Sequence, residues 1–206
     1  MFTFFLAAFT SLFSVVNPIS AMPVFLALTT GDNEARRKKQ ALKSAVWMSV
    51  ILITFFLAGS YIMSFFGISL EGIRIAGGLM IMRASYSLLN PNDGGKKLTA
   101  EDEEEAITKD DISFSPMAMP MLSGPGSIAV VLGLASTITE WHQYLMTIAA
   151  ILVTSILAWV ILRIAPVGVR YLGKTGMNAM TRMMGFLGLT IGVQFIINGV
   201  MPLLRG

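Results

Sequence analysis

Apolar residues fill six long stretches of this chain, and polar residues collect between them. The stretches run over about 3–28, 44–66, 70–90, 115–137, 143–165 and 180–202. A helix needs about 20 predominantly apolar residues to cross the hydrocarbon of a bilayer, so each stretch predicts one transmembrane helix. Two of the six are broken in the same manner, one at Asn17-Pro18-Ile19-Ser20 and the other at Gly124-Pro125-Gly126-Ser127. Proline removes a backbone donor and clashes with the preceding turn. Within lipid an unsatisfied backbone group costs several kcal/mol, so such a break persists only where protein or a watery cavity supplies partners.

Composition supports the same reading. The chain is 54% hydrophobic and 13% charged, with a mean hydropathy of +0.71. Soluble domains carry roughly 25% charged residues, so the expected class is an all-α integral membrane protein, and 206 residues leave no room for a separate soluble domain. The first stretch lacks a basic leader and a small-residue cleavage site, so it predicts a retained span rather than a signal peptide.

The basic residues sort by loop. Arg36, Arg37, Lys38, Lys39 and Lys43 follow the first stretch; Lys96, Lys97 and Lys109 follow the third; Arg163, Arg170, Lys174 and Arg182 follow the fifth, together 12 of the 15 Lys and Arg. Lys and Arg in short loops mark the cytoplasmic side, which predicts both termini outside. The acidic run Glu101–Glu105 counts little in that rule and reads as a solvated part of the linker. The net charge of +3 does not indicate nucleic acid, because the basic residues sit in loops rather than on one aromatic-laced face.

The two halves repeat. Pro18 and Pro125, like Ser20 and Ser127, are 107 apart, while Arg74 and Arg182, Gly77 and Gly185, and Asn90 and Asn198 are each 108 apart. Each half then holds three spans, an odd number, so the second copy enters the membrane from the opposite side. The expected fold is six transmembrane helices in two inverted three-helix repeats, with helices 1 and 4 interrupted. The predicted units are 1–90, a charged cytoplasmic linker at 91–112, and 113–206.

Paired interruptions in corresponding halves point to a transporter's binding site. The candidate substrate-binding residues are Asn17, Pro18, Ser20, Ser123, Gly124, Pro125, Gly126 and Ser127. Asn17 and the serines offer side-chain hydrogen bonds, with Ser20 and Ser127 expected to cap the half-helices that follow. A half-helix N-terminus suits a carboxylate, and unwound carbonyls suit an ammonium group. Arg74 and Arg182 are the candidates for gating or for guiding a carboxylate at the two mouths; snorkelling to headgroups is the plainer role. Arg83 lies deeper in its span but within reach of the interface. No Asp or Glu falls mid-span, which argues against a carboxylate proton relay and against strongly cationic solutes. The expected partner is a small zwitterionic solute in a lipid bilayer, with no metal and no cofactor. His142, beside Trp141, reads as interfacial. Gly188 and Gly192 form a small-xxx-small pattern that serves close helix packing, with a homo-oligomer as the alternative.

With Pro23, the Gly77-Gly78 pair after Arg74, and Pro120-Met121-Leu122-Ser123-Gly124-Pro125-Gly126-Ser127, the chain resembles the MarC family of bacterial inner-membrane proteins along nearly its whole length. The resemblance implies two inverted repeats and movement of small neutral amino acids such as alanine or glycine, by export or exchange. Two rivals belong to other classes. A passive channel would show single-channel conductance. An intramembrane serine hydrolase would need an activating base beside Ser127, and the single histidine lies outside the spans; the expected protein is not an enzyme.

Overall fold

The computed structural model describes residues 2–89 and 111–205. In chain order the elements are α1 (Phe2–Val16), α2 (Pro18–Leu28), α3 (Glu34–Phe66), α4 (Leu70–Leu89), a wide-turned segment α5 (Ser113–Leu122), α6 (Pro125–Thr137), α7 (Trp141–Arg163) and α8 (Ala165–Arg205). Four stretches are long and apolar enough to cross a membrane: Phe2–Leu28, Glu34–Phe66, Trp141–Arg163 and Thr175–Leu204. The pair α5–α6, bent by 64°, makes a fifth if it counts as one span. The remaining expected stretch, 70–90, does form a helix, α4. Glu71, Arg74 and Arg83 leave it too polar to qualify by composition. The linker residues named above, from Asn90 through Glu101–Glu105 to Lys109, lie outside the described residues.

Two boundaries differ from the hydropathy reading. The basic stretch before residue 44 is helix rather than loop, because Asn33 caps it: its Oδ1 accepts from the Arg36 N–H at 2.8 Å. At 33 residues α3 is about 50 Å long, against a hydrocarbon core of about 30 Å. Its basic first turns therefore project beyond the apolar layer, and Lys38 pairs with Glu34 one turn away. It ends at Gly67, whose φ of 63° is the left-handed C-cap conformation that glycine takes without cost. On the other flank, α8 begins at Ala165 rather than near 180. It is interrupted at Gly173 (φ 61°, ψ −177°), which separates a short first section from the membrane-length part.

The most extensive helix pair is α4 against α8. Gly185 lies against Leu88, Gly188 against Ser85, Gly192 against Met82 and Gly78, and Gly199 against Glu71 and Ile75. Rising numbers on α8 meet falling numbers on α4, so the helices are antiparallel. The backbones approach closely because small residues line both faces. Gly188 and Gly192 are thus used within the chain. Around this pair, α1 packs on α7 and α6, and α3 packs on α6 and α7. Leu12, Phe25, Met48, Leu52, Phe56, Ile151 and Leu162 fill the core. Outward-facing Leu57, Phe65, Phe186 and Leu203 are exposed, as lipid-facing side chains are.

Candidate functional site

The first break is one residue wide. Asn17 takes a left-handed conformation (φ 47°, ψ 64°), while its N–H still donates to Phe13 O at 2.9 Å. Asparagine tolerates this region better than most side chains. Pro18 then starts α2 at a position where its missing donor costs nothing. The cap is Asn17, not Ser20 as its position after the proline suggested: Asn17 Oδ1 accepts from the Ser20 N–H at 3.3 Å. Ser20 sits inside the helix, and Phe2–Leu28 still counts as one span.

The second break is longer than the Gly-Pro-Gly motif alone implied. Ser115 and Met119 have extended backbone inside α5, and the peptides before Pro116 and Pro120 are cis. Hydrogen bonds span five residues, from Met117 N–H to Ile112 O at 3.1 Å and from Ser123 N–H to Ala118 O at 2.8 Å. Pro116 and Pro120 have no N–H to donate, which prevents a regular i→i−4 ladder here. Met117 and Met121 are buried and Met119 half-buried, filling the irregular space as flexible thioethers do. Regular helix resumes at Pro125. Its N-cap is Gly124, with no side-chain cap, because Ser127 does not cap: its Oγ donates back to Leu122 O at 3.0 Å. Gly124 has no room for a side chain, since a Cβ would stand 2.6 Å from Pro120 O.

The two breaks adjoin. A Cβ on Gly126 would stand 3.2 Å from Val15 Cγ1 and 3.0 Å from Ile81 Cγ1, so the start of α6 is wedged between the end of α1 and the middle of α4. Beside that contact, α2 packs on α5. Asn17 is 3% exposed, Ser20 7% and Ser123 0%. Yet Asn17 Nδ2, Ser20 Oγ and Ser123 Oγ have no hydrogen-bond partner among the described residues. An unpaired buried polar group costs about 1–3 kcal/mol, so three gathered at the two interruptions call for an explanation. Of the remaining candidates, Pro18 is buried, Gly124 and Gly126 are half-buried and Pro125 is exposed.

Farther along both helices, at Ser11 nearly two turns before Asn17 on α1 and at Val130 about one turn past Gly126 on α6, lies a cavity of about 140 Å³ whose wall includes Arg74, Thr137, Phe195 and Asn198. Arg74 Nη1 donates to Asn198 O at 3.3 Å. Arg182, the other arginine expected at a mouth, is exposed and makes no hydrogen bond or ion pair among the described residues. Arg83 is also exposed. The hydropathy pattern did not single out Ser11, Thr137, Gln194 or Phe195. Asn198 was visible only as the repeat partner of Asn90. His142 Nδ1 lies 2.9 Å from Glu140 Oε2 at the start of α7, remote in sequence from both breaks.

The segment entering the second break is anchored from outside. Asp111 pairs with Lys43 of α3, and it accepts from Ser113 N–H at 3.0 Å and Ser113 Oγ at 2.5 Å. Burial pushes the Asp111 carboxyl up, but the Lys43 and Ser113 hydrogen bonds outweigh it and bring the group down to about 2. A depressed folded-state value stabilises the fold above the ordinary carboxylate range. That contribution fades as pH falls from about 4 to about 2. Thermal unfolding across this window is expected to lose a component in the wild type that is missing in Asp111→Asn. Identical pH profiles would show that the anchor carries no linkage.

A multi-pass helical chain with lipid-facing apolar surface, an unwound bent span and buried polar groups at paired breaks is an integral membrane protein. The chain belongs to the MarC family of integral membrane proteins, whose family model matches residues 2–204. It is 34% identical over 204 residues to "UPF0056 inner membrane protein MarC" of Escherichia coli strain K12, covering 94% of this chain and 92% of that relative. The Citrobacter koseri protein of the same name is 35% identical over 208 residues, with the same coverage. No solved structure matches the chain.

Proposed function

We propose that this protein is a secondary transporter that exports or exchanges small neutral amino acids such as alanine or glycine. The observation that carries this reading is the set of buried, unpartnered atoms at the adjoining breaks: Asn17 Nδ2, Ser20 Oγ and Ser123 Oγ. A solute with both a carboxylate and an ammonium group can satisfy such a set. The uncapped start of α6 leaves the Gly126 and Ser127 N–H groups without intrahelical partners. They suit the carboxylate, and the unwound carbonyls of α5 suit the ammonium. In this reading α4 is a sixth span shielded by α8, the two halves are inverted repeats, and Arg74 and Arg182 serve the two mouths. The relatives' printed name places them in the inner membrane, which we extend to this chain, with both termini outside on the basic-loop rule. We assign no enzymatic role: the Ser127 hydroxyl is bonded to a carbonyl rather than to a base.

Proteoliposomes preloaded with labelled alanine or glycine are expected to lose label faster than protein-free vesicles. Equal rates across a panel of neutral amino acids would overturn the substrate class. Discrete conductance steps in planar bilayers would point to a channel instead.

A further inference from the structure

We infer that Arg74 and Asn198 form a latch opened by a solute carboxylate, and that this latch selects carboxylates on one face of the protein. The proposal deepens the transport reading, on which it rests for the identity of the solute. Two cavities share this pair as a wall. The inner one, about 140 Å³, reaches Ser11 and Val130, within about two turns of the breaks. The outer one, about 420 Å³ and more open, is lined by Arg74, Asn198, Met201 and Pro202. The Arg74–Asn198 hydrogen bond therefore lies between an open bowl and a chamber beside the proposed site.

The bond is suited to being exchanged. At 3.3 Å it is long, beyond the usual N–H···O range. It uses one of the five donors of a guanidinium, and the acceptor is a neutral carbonyl. Among the described residues no carboxylate pairs with Arg74. A solute carboxylate binds a guanidinium through shorter, charge-assisted and bidentate bonds, so it competes well for the same group. Gln194 prepares a second donor: its Nε2 donates to Asn198 Oδ1 at 2.8 Å, a bond that occupies the amide oxygen and not the Nδ2 donor. Gly199 keeps the arginine close to α8, since a Cβ there would stand 3.1 Å from Arg74 Cβ and 2.9 Å from Glu71 O. No acidic side chain lines either cavity. The inner chamber has room for four or five waters at about 30 Å³ each, about the volume of a very small solute. Val130 and Phe195 give it an apolar wall that suits a methyl group. The ligand class is thus a small monocarboxylate, including the carboxylate end of a small zwitterion, and amides and cations are disfavoured.

The test compares isosteric pairs by thermal unfolding of the purified protein in detergent at constant ionic strength: acetate with acetamide, and glycine with glycinamide. The wild type is expected to respond to each carboxylate at concentrations at least about tenfold lower than to its amide, the lower end of what a hydrogen bond to a charged group supplies. Arg74→Gln is expected to lose that preference, Arg74→Lys to keep part of it, and Gln194→Leu to narrow it. Arg83→Gln, on an exposed face of the same helix, is expected to leave it unchanged. Equal responses to acid and amide in the wild type overturn the latch, as does a preference that survives in Arg74→Gln. Should Arg74→Gln not fold, the wild-type pairs and Arg74→Lys decide. Carboxylate preference without flux in vesicles would sink the transport reading alone. Flux without the preference would sink the latch alone.

Discussion

Replacing Gly78 by alanine is expected to destabilise the protein by roughly 3 kcal/mol, the upper end of overpacking costs. The sign is informative. Glycine within a helix is ordinarily about 0.5–1 kcal/mol less stable than alanine, so propensity alone predicts a gain. At Gly78 a Cβ would stand 2.7 Å from Gly192 O, 2.7 Å from Ile196 Cγ1 and 3.1 Å from Ile196 N. Two of those atoms are backbone and cannot rotate away. Relief requires α4 and α8 to separate, and this pair closes the fold around the second break, since α6 also packs on α4. Gly78→Val should be worse still. Gly31→Ala, where nothing lies within 4 Å, should stay within about 0.5 kcal/mol of the wild type. Thermal unfolding in detergent measures all three, and a Gly78→Ala midpoint at or above the wild type would refute the tight antiparallel pairing.

Ser123→Ala is expected to separate stability from transport. The hydroxyl is fully buried and has no partner among the described residues. Its removal takes away a desolvation penalty of about 1–3 kcal/mol and no internal bond, so the unfolding midpoint should hold or rise. If the hydroxyl serves a solute, amino-acid flux should fall about tenfold or more, because a hydrogen bond to a charged group is worth about 1.5–3 kcal/mol. Ser127→Ala provides the contrast: it removes a bond to Leu122 O and should cost about 1 kcal/mol in stability. The chain has no cysteine, so Ser123→Cys adds a single thiol. Its alkylation by a small reagent should slow in the presence of alanine or glycine. Wild-type flux in Ser123→Ala, together with alkylation that solute does not slow, would remove Ser123 from the site.

Much of this architecture was legible in one dimension because lipid imposes strong local rules. Apolar runs of membrane length marked the spans. Pro18 and Pro125 marked the breaks, since a proline cannot continue the hydrogen-bond ladder of the turn before it but is well placed to open a new helix. Other features were less visible. The helical start of α3 was hidden by its charge, although Asn33 followed by Glu34 is a capping signal. The Gly124-Pro125-Gly126 motif signals the second break, yet the break extends back to Ser113 because Pro116 and Pro120 disrupt two successive turns. Neither Ser20 nor Ser127 caps the helix that holds it. A serine near a helix start can cap, but in each case another residue occupies the cap position.

The order of apolar runs, the places of the two prolines that open the interruptions and the clustering of basic residues between the runs follow from the chain alone, because each depends on a residue and its near neighbours. The tertiary structure alone decided that Val15 meets Gly126, that Arg74 reaches Asn198 across 124 residues, and that Asn17 Nδ2, Ser20 Oγ and Ser123 Oγ are buried without partners among the described residues. Whether a polar atom is satisfied depends on which distant helix packs over it, and local sequence does not encode that neighbour.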